Sequence, residues 1–159
     1  MNDIIVRAFA CAGIPAMKEP SGLSRSDGRR PDGTTWIPWQ NGKMLTWDGT
    51  VATTLAESYI TSTAISAGAA AEQAATRKCV KYADLPASYL FQPLAFETLG
   101  TMNTTATVFL SDLGRRTAIS SGDDRDTAFL FQRLSVTLQR FNAILLHDSF
   151  NDEHGDPDI

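Results

Sequence analysis

A chain of 159 residues with 43% apolar residues fits one globular domain, able to bury its core without disulfides or a structural metal. Five of the 18 acids behind the formal charge of −4 fall in residues 148–159, so residues 1–147 hold 13 acids against 14 bases; charge neither demands nor excludes a nucleic-acid partner. The only histidines, His147 and His154, lie at the C-terminal end, which argues against a histidine-based triad or a zinc site, and no run of 18 apolar residues exists to span a membrane.

Along the chain, Asn2 to Ala12 reads as a helix, with Ile4, Ile5, Ala8, Phe9 and Ala12 at helical spacing and Gly13 as a stop. Asp3 and Arg7 interrupt this apolar opening, which lacks the basic-then-apolar order of a secretory signal. Pro15 to Leu23 is expected to be a short extended piece, and Ser24 to Gly33 a polar stretch rich in turn residues. Thr34 to Trp39 and Lys43 to Val51 are rich in β-branched and aromatic residues. Asn41-Gly42 between them suits a type I′ turn, so the pair predicts a β-hairpin.

Ser66 to Leu85 reads as a helix that opens with an alanine-rich run. Tyr89 to Thr98 is a largely apolar strand, of the kind buried in the middle of a sheet. Two further helices are expected over Asn103 to Ile119 and Asp126 to Leu146, with residues 120–124 as the loop between them. From Asn151 onward the chain is acidic with little to bury, which predicts disorder. The fold class is α/β in the broad sense (α+β), a mixed sheet with a central hairpin flanked by helices, formed by residues 1–147 and followed by an acidic tail over 148–159. Cys11 and Cys79 are far apart and lack any CxxC or Cys/His partner; they read as reduced core thiols of an intracellular protein.

Asp32 begins one arm of the hairpin and Asp48 lies near the end of the other, so both sit at the open end, away from the turn. Two converging carboxylates suit a hard cation such as Mg²⁺, which takes oxygen ligands and keeps several waters, one able to act as a nucleophile. Glu19 is a candidate third ligand. Lys78 and Lys81 are one helical turn apart, and either is a candidate to stabilise charge on a phosphate. Each residue has a plainer reading: Pro31-Asp32-Gly33 is a common turn sequence, Asp48 can end a strand, and the two lysines can form a solvated face beside Arg77. Geometry raises a further demand. A regular ladder from a two-residue turn pairs Thr35 with Asp48, leaving Asp32 about 10 Å further on and on the opposite face. A shared metal therefore requires a bulge, and Pro38, which lacks a ladder donor, is where irregular pairing is expected.

Several linked segments, in order, resemble the endonuclease region of non-LTR retrotransposon (LINE-type) proteins. They are the run from Asn2-Asp3-Ile4-Ile5 to Phe9, Glu19-Pro20-Ser21-Gly22-Leu23, Asp27-Gly28-Arg29-Arg30-Pro31-Asp32-Gly33 and Trp47-Asp48-Gly49-Thr50. The similarity continues through Glu72, Arg77-Lys78, Lys81-Tyr82, Glu97-Thr98-Leu99-Gly100 and the Gln132 to Asn142 helix, and covers nearly the whole chain except the acidic tail. It implies a restriction-like PD-(D/E)xK nuclease that nicks DNA, using Mg²⁺ or Mn²⁺ and no small-molecule cofactor. It implies Asp32 as the first acid and Asp48 as the second. Thr50 stands where the wider pattern has lysine, so the resemblance implies that this role has moved to Lys78 or Lys81. Arg29, Arg30 and Arg77 are the nearby candidates for contact with DNA, and the analogy implies a nuclear site of action. The chain carries neither the zinc knuckle nor the reverse transcriptase of those proteins, so a fragment, a decayed copy or a stand-alone derivative is expected. The rival expectations are an inactive remnant of the nuclease fold with at most weak nucleic-acid binding, and an unrelated α/β interaction domain.

Overall fold

A computed structural model describes residues 1–23 and 26–152; Ser24 and Arg25, at the head of the expected polar stretch, and the acidic residues beyond Asp152 lie outside the described residues. The N-terminal periodicity becomes helix α1 (Asn2–Cys11), which buries Ile5, Ala8 and Phe9. Strand β1 (Ala16–Lys18) is short, and Ser21–Leu23 forms a 3₁₀ turn where an extended chain was expected. Strands β2 (Gly33–Gln40) and β3 (Lys43–Ala52) make the predicted hairpin, with Asn41 and Gly42 at φ of 51° and 71°, both positive as a type I′ turn requires. A four-residue helix α2 (Ile60–Thr63), which the sequence reading did not anticipate, precedes α3 (Ala69–Lys81). Strand β4 (Tyr89–Glu97) and helices α4 (Thr104–Ser121) and α5 (Asp126–Asp152) follow. Helix α5 thus carries past Asn151, where disorder was expected to begin.

The sheet order is β1-β2-β3-β4, antiparallel except for the parallel β3–β4 pair, so the hairpin is central. β4 lies at one end of the sheet rather than in its middle. Pro93 within it has no N–H to donate to a second neighbour, and residues 93–97 are buried by helices instead of by another strand. One sheet face turns Leu45, Trp47, Leu94 and Phe96 toward Phe9, Phe109, Leu110, Leu113 and Leu134 of α1, α4 and α5. The other face is lined with small residues. Ala52 and Ala95 meet Ala70, Ala71, Ala74 and Ala75 of α3, and methyl-sized side chains let that helix backbone come close.

Both cysteines are exposed, contrary to the expectation of core thiols. Cys11 ends α1, and Cys79, four residues after Ala75, lies in the last turn of α3 beyond the buried part of the alanine stripe. Among the described residues no helix is long and apolar enough to cross a membrane.

Candidate metal centre and its surroundings

The hairpin is irregular in the way a shared site demands. Gln40 pairs with Lys43 and Pro38 with Met44, but Thr34 pairs with Thr46 and Gly33 with Trp47. A regular ladder from the same turn would set Trp47 opposite Trp36, so β2 has absorbed three extra residues by the time it reaches Gly33. An odd shift reverses the face parity of every residue beyond it. Asp32 therefore comes alongside Asp48, next in line after the Gly33–Trp47 pair. Thr35 makes the irregularity tolerable: its hydroxyl accepts the Leu45 N–H at 3.0 Å and donates to the Ile37 carbonyl at 2.8 Å, in place of ladder bonds.

The Asp32 carboxylate accepts the Gly49 N–H on Oδ2 at 2.7 Å, which ties the first acid to the residue following the second. Its backbone carbonyl is held by the Glu19 N–H at 3.0 Å and by Asn2 Nδ2 at 2.9 Å. Asn2 Oδ1 in turn accepts the Trp47 indole N–H at 2.9 Å, so one amide at the start of α1 braces both acid-bearing strands. Gly33 is needed where β2 crosses Trp47: a Cβ there would stand 2.0 Å from Cζ2 of an indole that is itself fully buried.

Asp48 alternates with Trp47 along β3, so Trp47 enters the large core while Asp48 faces α3, where it is 4% exposed. There it forms an ion pair with Lys78, Nζ to Oδ2 at 2.5 Å. Lys78 follows Ala71, Ala74 and Ala75 at spacings of three and four, the spacing that shares one helix face, so the stripe that seats α3 also aims Lys78 at the sheet. Tyr82 takes the next place in that stripe and is buried, while Lys81 Nζ lies 4.8 Å from the Tyr82 ring centre. The structure thus brings together Asp32, Asp48 and Lys78. Lys81 is placed against Tyr82.

Burial pushes the Asp32 carboxyl above the ordinary aspartate value, the Gly49 N–H opposes that shift, and repulsion from Asp48 adds to it. Lys78 pulls the other way, and Glu19 contributes weakly in the direction of Asp48. Gly49 and Lys78 each engage one oxygen of their acid, leaving Asp32 Oδ1 and Asp48 Oδ1 as the oxygens available to a cation. Two carboxylates with room for waters fit the preferences of Mg²⁺. Among the described residues no group of three or more His, Cys, Asp or Glu is gathered, so Glu19 does not join the pair as a third ligand. It is exposed on the turn after β1, at a φ of 47°.

The candidate DNA-contacting arginines lie on the segments that carry Asp32 and Lys78. Arg29 and Arg30 are exposed on the segment entering Pro31-Asp32; Arg29 lies 4.0 Å from Asp27, and Arg30 donates to the Glu19 carbonyl at 3.4 Å. The Tyr82 hydroxyl donates to the Arg30 carbonyl at 3.0 Å, pinning that segment to the end of α3. Arg77, beside Lys78, donates to the Tyr59 hydroxyl at 2.5 Å with its guanidinium 5.3 Å from the ring centre. Asn2, Gly49 and Tyr59 escaped the sequence reading. Asn2 heads the first quoted segment and Gly49 follows Asp48, but no spacing rule marks a brace 30 residues from its target. Compared with known protein families and with characterised proteins, the chain matches no family and no characterised sequence.

Proposed function

We propose that this chain is a divalent-metal-dependent DNA endonuclease domain of the restriction-like, retrotransposon-associated kind. The observation that carries the reading is that Asp32 and the Asp48–Lys78 pair are brought close together, through a register shift that simple turn chemistry at Pro31-Asp32-Gly33 has no need of. Asp32 and Asp48 would hold Mg²⁺ or Mn²⁺. When bound, the ion neutralises phosphate charge and eases ionisation of the attacking water. Lys78 supplies a fixed cation for the charge that develops on the phosphate as water adds to phosphorus and the bond to the leaving sugar oxygen breaks. Gly49 and Asn2 keep Asp32 in place for that task, and the exposed Arg29, Arg30 and Arg77 supply sequence-independent attraction for the DNA backbone.

A plasmid-nicking assay tests the reading. With Mg²⁺ or Mn²⁺ the wild type converts supercoiled plasmid to the nicked form, and Asp48→Ala lowers the rate on the order of a hundredfold or more, the scale of losing one fixed electrostatic contribution. Cleavage that persists in Asp48→Ala removes that residue from the mechanism. No cleavage by either protein, with both folded by thermal melting, leaves a nuclease-like fold without the activity.

A further inference from the structure

Beside the Asp48–Lys78 pair a groove of about 270 Å³ runs between the end of β3 and the face of α3. Its walls are Thr50, Ala52 and Thr53 on one side and Ala74, Arg77 and Lys78 on the other, with Ala56 and Tyr59 beneath. The walls are small and the hydroxyls few, but the two cations lie on the same wall. Lys78 also pairs with Asp48, so the groove and the candidate metal centre have that side chain in common.

The segment that forms the floor is braced on several sides. The Thr63 hydroxyl donates to the Thr54 carbonyl at 3.0 Å, Gln73 Nε2 donates to the Ser62 hydroxyl at 2.9 Å, and the Thr54 N–H reaches the Thr98 hydroxyl at 3.2 Å. Tyr59 is nearly buried, so its ring is not offered for stacking; what it offers is a hydroxyl that fixes the exposed Arg77 guanidinium at the groove wall. A guanidinium held in this manner loses little freedom on meeting an anion and presents several donors in a rigid fork. The groove has room for one sugar–phosphate unit and not for a base pair.

We propose that this groove is the subsite for the sugar–phosphate unit of DNA adjoining the one cleaved, with Arg77 as its phosphate contact and Tyr59 as the residue that positions Arg77. The proposal takes the identity of its ligand from the nuclease reading, and the test separates the two. Binding of a fluorescein-labelled DNA duplex two helical turns long is followed by anisotropy across a salt series, with Ca²⁺ in place of Mg²⁺. Arg77→Gln weakens binding about fivefold to tenfold and lowers the slope of log affinity against log salt by about 0.9, the value for one lost phosphate contact. Tyr59→Phe, which keeps the ring, weakens binding in the wild-type background and has no effect in the Arg77→Gln background, because it acts through Arg77.

Unchanged affinity and salt slope in both variants, with altered melting temperature alone, reduce the Arg77–Tyr59 pair to a structural contact and overturn the proposal. Additive effects of the two substitutions overturn the positioning role of Tyr59. A wild type that binds with the Arg77-dependent slope yet never nicks plasmid keeps the subsite and removes the nuclease reading. A wild type that nicks, with Arg77 variants indistinguishable from it, does the reverse. Absence of any DNA binding removes both.

Discussion

Asp32 shows how a single carboxyl can carry the properties of a site. Its pKa in the folded protein is raised above the reference value of 3.8, chiefly by burial. A group shifted upward favours the folded state below its unfolded pKa, and that contribution is lost as pH rises through the folded-state value. At neutral pH the ionised Asp32 is therefore a standing cost to the fold, and a bound cation relieves it. Asp32→Asn, which keeps an oxygen for the Gly49 N–H, is expected to raise the melting temperature at neutral pH in the absence of metal and to leave it little changed near pH 3. In the wild type, Mg²⁺ at about a hundred times its Kd stabilises by about 2.7 kcal/mol, roughly 5–10 °C for a domain of this size, and Asp32→Asn abolishes that rise. Differential scanning fluorimetry with and without the ion measures both. A variant that keeps the Mg²⁺-dependent rise would separate Asp32 from metal binding.

Among the elements, α3 links the strand that carries Asp48 to the rest of the fold. Its alanine stripe seats it on the sheet, its N-terminal turn is met by the buried Glu97, which accepts the Ala71 N–H at 3.1 Å, and its last turns carry Arg77 and Lys78. Glu72 extends the connection to α4. One of its oxygens accepts both the Thr104 N–H at 2.6 Å and the Thr104 hydroxyl at 2.8 Å, serving as the start cap that Asn103 does not provide. Glu72→Ala leaves first-turn donors of α4 to water and is expected to cost about 1 kcal/mol, the usual scale for a lost cap, seen as a lower urea midpoint with an unchanged slope. The alanine stripe was legible in the sequence, but Lys81, three residues after Lys78 and seven after Ala74, fits the same spacing, and only the contact with Asp48 selects Lys78. Pro93 carried a sign of the edge position of β4 that the expectation of a mid-sheet strand passed over.

At the scale of the whole molecule, stability and site are arranged around β3. It pairs with β2 on one side and β4 on the other, turns Trp47 into the large aromatic core and turns Asp48 toward α3. Phe9 stacks on Trp47 with ring centres 5.0 Å apart and meets Trp39 edge-on at 5.7 Å, so α1 clamps the same hairpin whose open end carries the acids. Amide protection should follow this arrangement. The middle of β3 is expected to exchange slowest, near the global unfolding limit. The three-residue β1 and the short α2 should exchange faster by orders of magnitude. Hydrogen-exchange mass spectrometry checks this; uniform protection across the four strands would contradict a fold organised around one central strand.

Local chemistry settled much of this protein before any contact between distant residues was considered. Helical spacing placed α1, α3, α4 and α5, positive-φ residues placed the turn at Asn41-Gly42, and residue type singled out Asp32, Asp48, Lys78 and Lys81. What the sequence alone left undecided was the offset between β2 and β3. A ladder's period is written in each strand, but its register is set by what packs and bonds across it: Thr35 standing in for ladder groups, Gly33 admitting the Trp47 ring, and Asn2 reaching from another helix to hold both strands. Those are energies of fit between parts far apart in the chain. They alone bring the two acids together.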